Sequence, residues 1–114
     1  MIKIVYHGLI HSGDFKAVST VMAEWMKTEK LSLKIKLGGE EIVYEDEKSY
    51  FYCHCAMGEP LFLLEGWMFQ TLTEVEALLR QLMQLCKTRG IASRFDYAQV
   101  NDEGIEISDQ FHMG

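Results

Sequence analysis

Three of the four histidines are the first residues whose chemistry could build a site. His7 and His11 flank Gly8, and we expect this segment to be a loop between a first strand and a first helix. An imidazole can bind a metal or carry a proton near neutral pH. His54 lies on a later strand and could approach them if that strand runs beside the first. One interpretation is a metal or small-molecule site at His7, His11 and His54, with Asp14 as a carboxylate ligand. The other is a set of polar surface histidines.

The motif Cys53-His54-Cys55 places two thiols and an imidazole on consecutive residues. Zinc needs about four ligands that converge. Side chains of a strand alternate between its two faces, so His54 points away from both cysteines. We therefore predict that Cys53 and Cys55 are core residues on the face of Phe51, with Tyr50 and Tyr52 beside His54. The odd total of three cysteines favours a reducing compartment, which we take to be the cytoplasm.

Motifs of nucleophilic and phosphate chemistry are missing. No G-x-S-x-G, G-x-G-x-x-G or P-loop segment occurs, and the calcium-loop pattern is absent. Acidic residues near the cysteines would raise the pKa of a thiol and oppose its activation. We expect no catalytic residue, no cofactor and no bound metal, which leaves enzymatic activity uncertain and favours a protein that is not an enzyme.

Negative charge is concentrated in the middle of the chain. Residues 38–76 hold nine acids and one base, for a balance of −8, against a net charge of −6 for the whole chain. Such a surface repels phosphate backbones, so direct nucleic-acid binding is disfavoured. It attracts basic proteins, because complementary charge speeds encounter. The alternative is that these acids only keep the protein soluble.

Acids and tyrosines of this middle segment are the candidate partner-binding residues. Aromatic side chains anchor interfaces, and charged neighbours steer the partner. Paired carboxylates on turns stay solvated, so glycosidase-type chemistry is not expected from them. The candidates are Glu40, Glu41, Tyr44, Glu45, Asp46, Glu47, Tyr50 and Tyr52.

The first half of the chain shows one helix and four strands. Alternation predicts a strand from Ile2 to Tyr6, and a 3.6-residue apolar period predicts a helix over about 14–29, capped by Ser12 or Asp14. Further strands are expected over 31–37, 41–45 and 50–57, with Gly38-Gly39 as a hairpin turn.

The second half begins with a short apolar strand over 61–64. Thr71 and Glu74 have the spacing of a capping box, which predicts a helix that ends before Gly90. We expect Trp67 and Phe69 to close the core over this helix. Strands follow over 92–100 and 105–107, and the tail from 109 to 114 is expected to fray.

These elements predict a single α+β domain over residues 1–114. It would be a two-layer sandwich, with a mainly antiparallel sheet of five to seven strands and two helices on one face. A ferredoxin-like arrangement with extra hairpin strands is one version. No segment approaches the roughly 18 apolar residues of a membrane span, so no membrane partner is expected.

The function predicted from these features is an acidic cytoplasmic protein-interaction module. It would act as an inhibitor or immunity-type protein that blocks a basic, nucleic-acid-binding site on a target. An exposed sheet face could also support a homodimer. The alternative is a small enzyme or ligand-binding protein that uses His7, His11 and His54.

Overall fold

The structure of the protein is a computed structural model that describes residues 3–27, 31–36, 39–56 and 58–114. Ile2, residues 28–29 of the expected helix, Leu37, Gly38 and Met57 lie outside the described residues. The elements, in chain order, are β1 (Lys3–His11), α1 (Phe15–Met26), β2 (Ser32–Lys36), β3 (Gly39–Glu45), β4 (Ser49–Cys55), β5 (Phe62–Met68), α2 (Leu72–Thr88), β6 (Ala92–Val100) and β7 (Phe111–Met113).

The strands that the structure describes form one antiparallel sheet in the order β2-β3-β4-β5-β1-β6-β7. Its four inner strands, β4, β5, β1 and β6, are joined through α1 and α2 in a ferredoxin-like arrangement. The β2–β3 hairpin extends one edge and β7 extends the other. The predicted α+β sandwich, with its mainly antiparallel sheet and two helices, is confirmed.

Each helix begins at a residue that accepts from its free amides. The side chain of Asp14 accepts a hydrogen bond from the amide of Ala17 at 3.1 Å, at the start of α1. The hydroxyl of Thr71 accepts from the amide of Glu74 at 3.2 Å, at the start of α2. Both caps agree with the sequence prediction, because short side-chain oxygens satisfy amides that have no partner within the helix.

The core lies between the helices and one face of the sheet, and Trp25 ties its parts together. The indole N–H of Trp25 donates to the carbonyl of Leu78 on α2 at 2.8 Å. Its ring meets Tyr6 edge to face at 6.0 Å and lies 5.9 Å from Phe51. One side chain of α1 therefore contacts α2 and two strands. The largest fully buried side chains include Tyr6, Phe51, Phe62, Phe95, Ile4 and Ile10.

Four sequence predictions about the strands and the tail are wrong. β1 continues past Gly8 to His11, so the expected loop at His7 is strand. β5 runs on to Met68, beyond the predicted end at Leu64. The tail does not fray, because Phe111–Met113 pairs with β6 as an edge strand, whereas residues 105–107 contribute only a single bridge to Val100.

Glycines continue two of these strands where another residue could not. A Cβ atom on Gly8 would lie 2.4 Å from the ring of Phe95, so the ring packs directly on the backbone of β1. A Cβ atom on Gly66 would lie 2.2 Å from the carbonyl oxygen of Tyr50 and 2.5 Å from the Tyr6 hydroxyl. Both positions require glycine because neighbouring atoms approach the strand backbone closely, and not because the chain turns there.

We expect Gly66→Ala to lower the free energy of unfolding by about 2–3 kcal/mol, since overpacking at this level strains the surrounding core. The added methyl would also disturb the bond that the Tyr6 hydroxyl donates to the Tyr50 carbonyl. Urea unfolding followed by circular dichroism measures the change.

Gly58→Ala is the matched control. Gly58 has a positive φ of 76° and open space around it, so the control carries only the backbone cost of the left-handed conformation, about 1–2 kcal/mol. Equal losses in the two variants would contradict the packing explanation.

Candidate functional site

The face of the sheet opposite the helices, here called the open face, carries the side chains of every second strand residue. Strand pairing aligns them into rows across the sheet. One row crosses four strands as Asp96, His7, Glu65 and Tyr52. The next row crosses the same strands as Arg94, Leu9, Leu63 and His54. Residues far apart in sequence thus become direct neighbours.

These two rows surround a cavity of about 300 Å³, here called the open-face cavity. Its volume is at the lower end of the range of about 300–1,000 Å³ for ligand pockets. Half-buried leucines form its floor, and charged or polar side chains stand around them. The lining residues are His7, Gly8, Leu9, His54, Leu63, Leu64, Glu65, Arg94 and Asp96.

Several polar groups of the cavity lack a partner within the part of the chain that the structure describes. The Nδ1 atom of His54 is buried and makes no hydrogen bond there. Within the same ranges, His7, Glu65 and Arg94 form neither a hydrogen bond nor an ion pair. Asp96 differs, because its Oδ1 atom lies 2.6 Å from Nδ1 of His112 on β7. The cavity therefore offers unused donors and acceptors above an apolar floor.

The structure changes the expected histidine site. His7 stands in the middle of β1, and His54 reaches the same cavity although β5 separates their strands. His11 lies on the same face but four residues further along β1, roughly 14 Å from His7 at about 3.4 Å per residue. Asp14 is engaged as the cap of α1. Among the described residues, no group of three or more His, Cys, Asp or Glu side chains is arranged to hold a metal ion.

The cysteines lie where the alternation of β4 predicts. Cys53 is fully buried in the core, on the same face of β4 as Phe51, while Cys55 is half-buried. Burial raises the pKa of the Cys53 thiol, and the nearby Cys86 and Cys55 raise it further. Cys53 therefore remains a protonated thiol at neutral pH and is a core residue, not a nucleophile.

The acidic and aromatic candidates divide between different surfaces. Glu41, Glu45, Tyr50 and Tyr52 lie on the open face, where the Tyr52 hydroxyl bonds to Glu41. Tyr44 faces the helix side and stacks on Phe51 at 5.8 Å. The other three are Glu40, on the helix side of β3, and Asp46 and Glu47, in the exposed turn before β4. The set does not form one continuous patch.

The carboxylate of Asp46 stabilises the turn between β3 and β4. Its Oδ1 atom accepts from the amides of Lys48 and Ser49, each at 2.8 Å, and its Oδ2 atom accepts from the Tyr44 hydroxyl at 2.6 Å. The Tyr44 bond and the two amides hold the pKa of Asp46 below its ordinary value. This carboxylate closes the β3–β4 turn, as a short acceptor does in an Asx turn.

Trp67 occupies a place that the sequence analysis assigned wrongly. It lies on the open face, not over α2, because the longer β5 places it in register with Tyr50. The two rings stack at 6.0 Å, Phe69 lies 5.0 Å away, and the Lys3 ammonium sits 5.5 Å from the Trp67 ring. An aromatic cluster therefore borders the open-face cavity.

Sequence reasoning missed the cavity residues that come from β5 and β6. Glu65, Arg94 and Asp96 received no role, because nothing local marks them as a site. Arg94 and Asp96 alternate with the buried Phe95 and Tyr97 along β6, and this alternation is the signal that could have placed them on one face. Only the pairing of β1 with both neighbours brings these residues to His7.

We expect Asp46→Ala to lower the free energy of unfolding by about 1–2 kcal/mol, since it removes the acceptor that closes the turn. Glu47→Ala, in the same exposed turn, should change it by less than about 0.5 kcal/mol. Urea unfolding of both variants at pH 7 measures the difference.

The effect of Asp46 should depend on pH. Its folded pKa is lowered from 3.8, so its stabilisation is complete above that value and is lost as the pH falls through the lowered pKa. The gap between the native protein and Asp46→Ala should then close in acid. A gap that stays constant down to pH 2 would show that the carboxylate charge plays no part.

A scan against protein-family models finds no match, and a search among curated proteins finds no significant relative. No helix in the described ranges is long and apolar enough to cross a membrane. The geometry of the open face is therefore the basis on which a function can be proposed.

Proposed function

We propose that the protein binds a small molecule in the open-face cavity. The observation that carries this proposal is a group of polar side chains that form no hydrogen bond or ion pair with the described residues, around the floor of Leu9 and Leu63. The group consists of His7, Glu65, Arg94 and His54, whose buried Nδ1 atom has no hydrogen-bond partner there. A concave site with an apolar floor and a few convergent polar groups is the usual form of a ligand pocket.

The free energy of binding favours a ligand at such a site. A buried polar atom without a hydrogen bond costs about 1–3 kcal/mol, and a ligand that supplies the partner recovers part of it. Nδ1 of His54 is such an atom as far as the described residues are concerned. The leucine floor adds apolar contact area, and its burial contributes roughly 25 cal/mol per Å². The shape of the cavity, the buried Nδ1 atom of His54 and the leucine floor therefore all favour ligand binding at this site.

A fragment screen by NMR tests the proposal. We expect hits that shift the amide signals of residues 7–9 and 63–65, because these segments line the cavity. Leu63→Trp should abolish those hits, since the larger side chain fills the space above the floor.

Val43→Trp is the matched control. Val43 lies on the open face, outside the cavity lining, so this variant should keep the hits. Hits that survive Leu63→Trp, or a screen with no shift in either segment, would overturn the proposed function.

A second candidate is the acidic interaction module, with a basic protein as its partner. It is favoured by the continuous strip of Glu45, Tyr50, Trp67 and Tyr52 on the open face, beside the exposed Glu47. Aromatic anchors with acidic neighbours are suited to a basic target, and the same strip could receive a second copy of this chain. The free cysteines support action in the cytoplasm, where thiols stay reduced.

Charge reversal tests this second candidate. Glu45→Lys with Glu47→Lys leaves the turn-closing Asp46 intact and should weaken capture of a basic protein from cell lysate about tenfold. Added salt should weaken the capture by the native protein in the same direction.

Glu103→Lys with Asp109→Lys changes the net charge equally in an exposed segment near β7 and is the control. Equal capture by both double variants would exclude the strip as the binding surface. Sedimentation at several concentrations separates a basic partner from self-association.

A further inference from the structure

The open-face cavity contains charges of opposite sign on opposite sides. Arg94 extends from β6, and Glu65 extends from β5, with β1 between them. Their registers differ, because Arg94 pairs with Leu9 while Glu65 pairs with His7. Two strand spacings and a two-residue offset separate their Cα atoms by roughly 12 Å. Both side chains are long enough to reach inward over the floor.

These two charges do not neutralise each other. Within the described ranges, neither Arg94 nor Glu65 forms an ion pair or a hydrogen bond. The carboxylate nearest to Arg94 along β6 is Asp96, and its Oδ1 atom is held by His112 at 2.6 Å. Among the described residues, the cavity lining therefore presents Arg94 and Glu65 without an ion-pair partner, beside the Asp96 carboxylate that His112 contacts.

Apolar surface fills the space between the two charges. Leu9 and Leu63 are directly paired across β1 and β5, and both are half-buried. A ligand that lies on them has Arg94 on one side and Glu65 on the other. A simple anion would leave Glu65 without a partner, and a simple cation would leave Arg94 without one. Each case leaves one of the two charges beside the ligand without a charge-assisted hydrogen bond to it.

We infer that the ligand of the open-face cavity is a small zwitterion, an inference that rests on the proposed function. Its carboxylate binds the guanidinium of Arg94, its ammonium binds the carboxylate of Glu65, and its apolar body lies on Leu9 and Leu63. The separation of the two side chains favours a ligand whose charges stand across a ring or a short chain. His54 supplies a further polar contact at the floor.

Three small molecules test the carboxylate contact and the ammonium contact separately. 4-(Aminomethyl)benzoate carries both charges across a ring, benzoate carries only the carboxylate, and benzylammonium carries only the ammonium. Titrations by calorimetry and NMR should show that the first binds about tenfold or more tightly than either of the others, since each charge-assisted hydrogen bond contributes on that scale.

Two variants assign each charge to its side chain. Arg94→Gln should weaken 4-(aminomethyl)benzoate and benzoate about tenfold and leave benzylammonium unchanged. Glu65→Gln should weaken 4-(aminomethyl)benzoate and benzylammonium and leave benzoate unchanged. Both residues are exposed, so the variants should fold, and their urea midpoints confirm it.

Lys3→Gln and Glu45→Gln are the matched controls. They remove the same charges from positions outside the cavity lining, with Lys3 over Trp67 and Glu45 at the end of β3. They should change all three affinities by less than about twofold, because screened surface charges act weakly at this distance.

The outcomes distinguish failure of the zwitterion inference from failure of the proposed function. The zwitterion is overturned if benzoate or benzylammonium binds as tightly as 4-(aminomethyl)benzoate, or if only neutral fragments occupy the cavity. The proposed function survives both results. If no fragment shifts the cavity amides, the proposed function fails, and the zwitterion fails with it.

Discussion

Both helices pack against the same face of the sheet, and the other features follow from this one-sided burial. Trp25 connects α1 to α2 through its bond to Leu78 and reaches the sheet through Tyr6 and Phe51. Because one face takes the apolar side chains, strand alternation sends the intervening residues to the other face. The polarity of the open face is thus a consequence of where the core lies.

The register of β1 then decides which of those intervening residues meet. β1 lies inside the sheet and pairs with β5 on one side and β6 on the other. Gly8 keeps it regular through the middle, since the ring of Phe95 occupies the place of a side chain. A shift of one residue would exchange the two faces of a strand. The open-face cavity therefore depends on a glycine that contributes only backbone to its lining.

Local signals in the sequence predicted where the helices and strands lie better than they predicted which strands are adjacent in the sheet. Caps at Asp14 and Thr71 identified where both helices begin, because a cap is a contact within one turn. Gly8 was expected to lie in a loop, and β5 was expected to end at Leu64, whereas Gly8 and Gly66 permit close packing inside these strands. The alternation of β4 separated Cys53 from His54 correctly. The contributions of Glu65 and Arg94 could not be predicted, since they require the order of strands across the sheet.

The two tryptophans of the chain occupy opposite environments. Trp25 is almost completely enclosed between the helices and the sheet, whereas Trp67 lies among other rings on the open face with an ammonium group above it. The fluorescence of each tryptophan therefore reports on a different part of the structure. Emission from Trp25 follows the integrity of the core, and emission from Trp67 follows events on the surface that borders the cavity. Replacing Trp25 by phenylalanine would leave a single built-in optical probe of that surface.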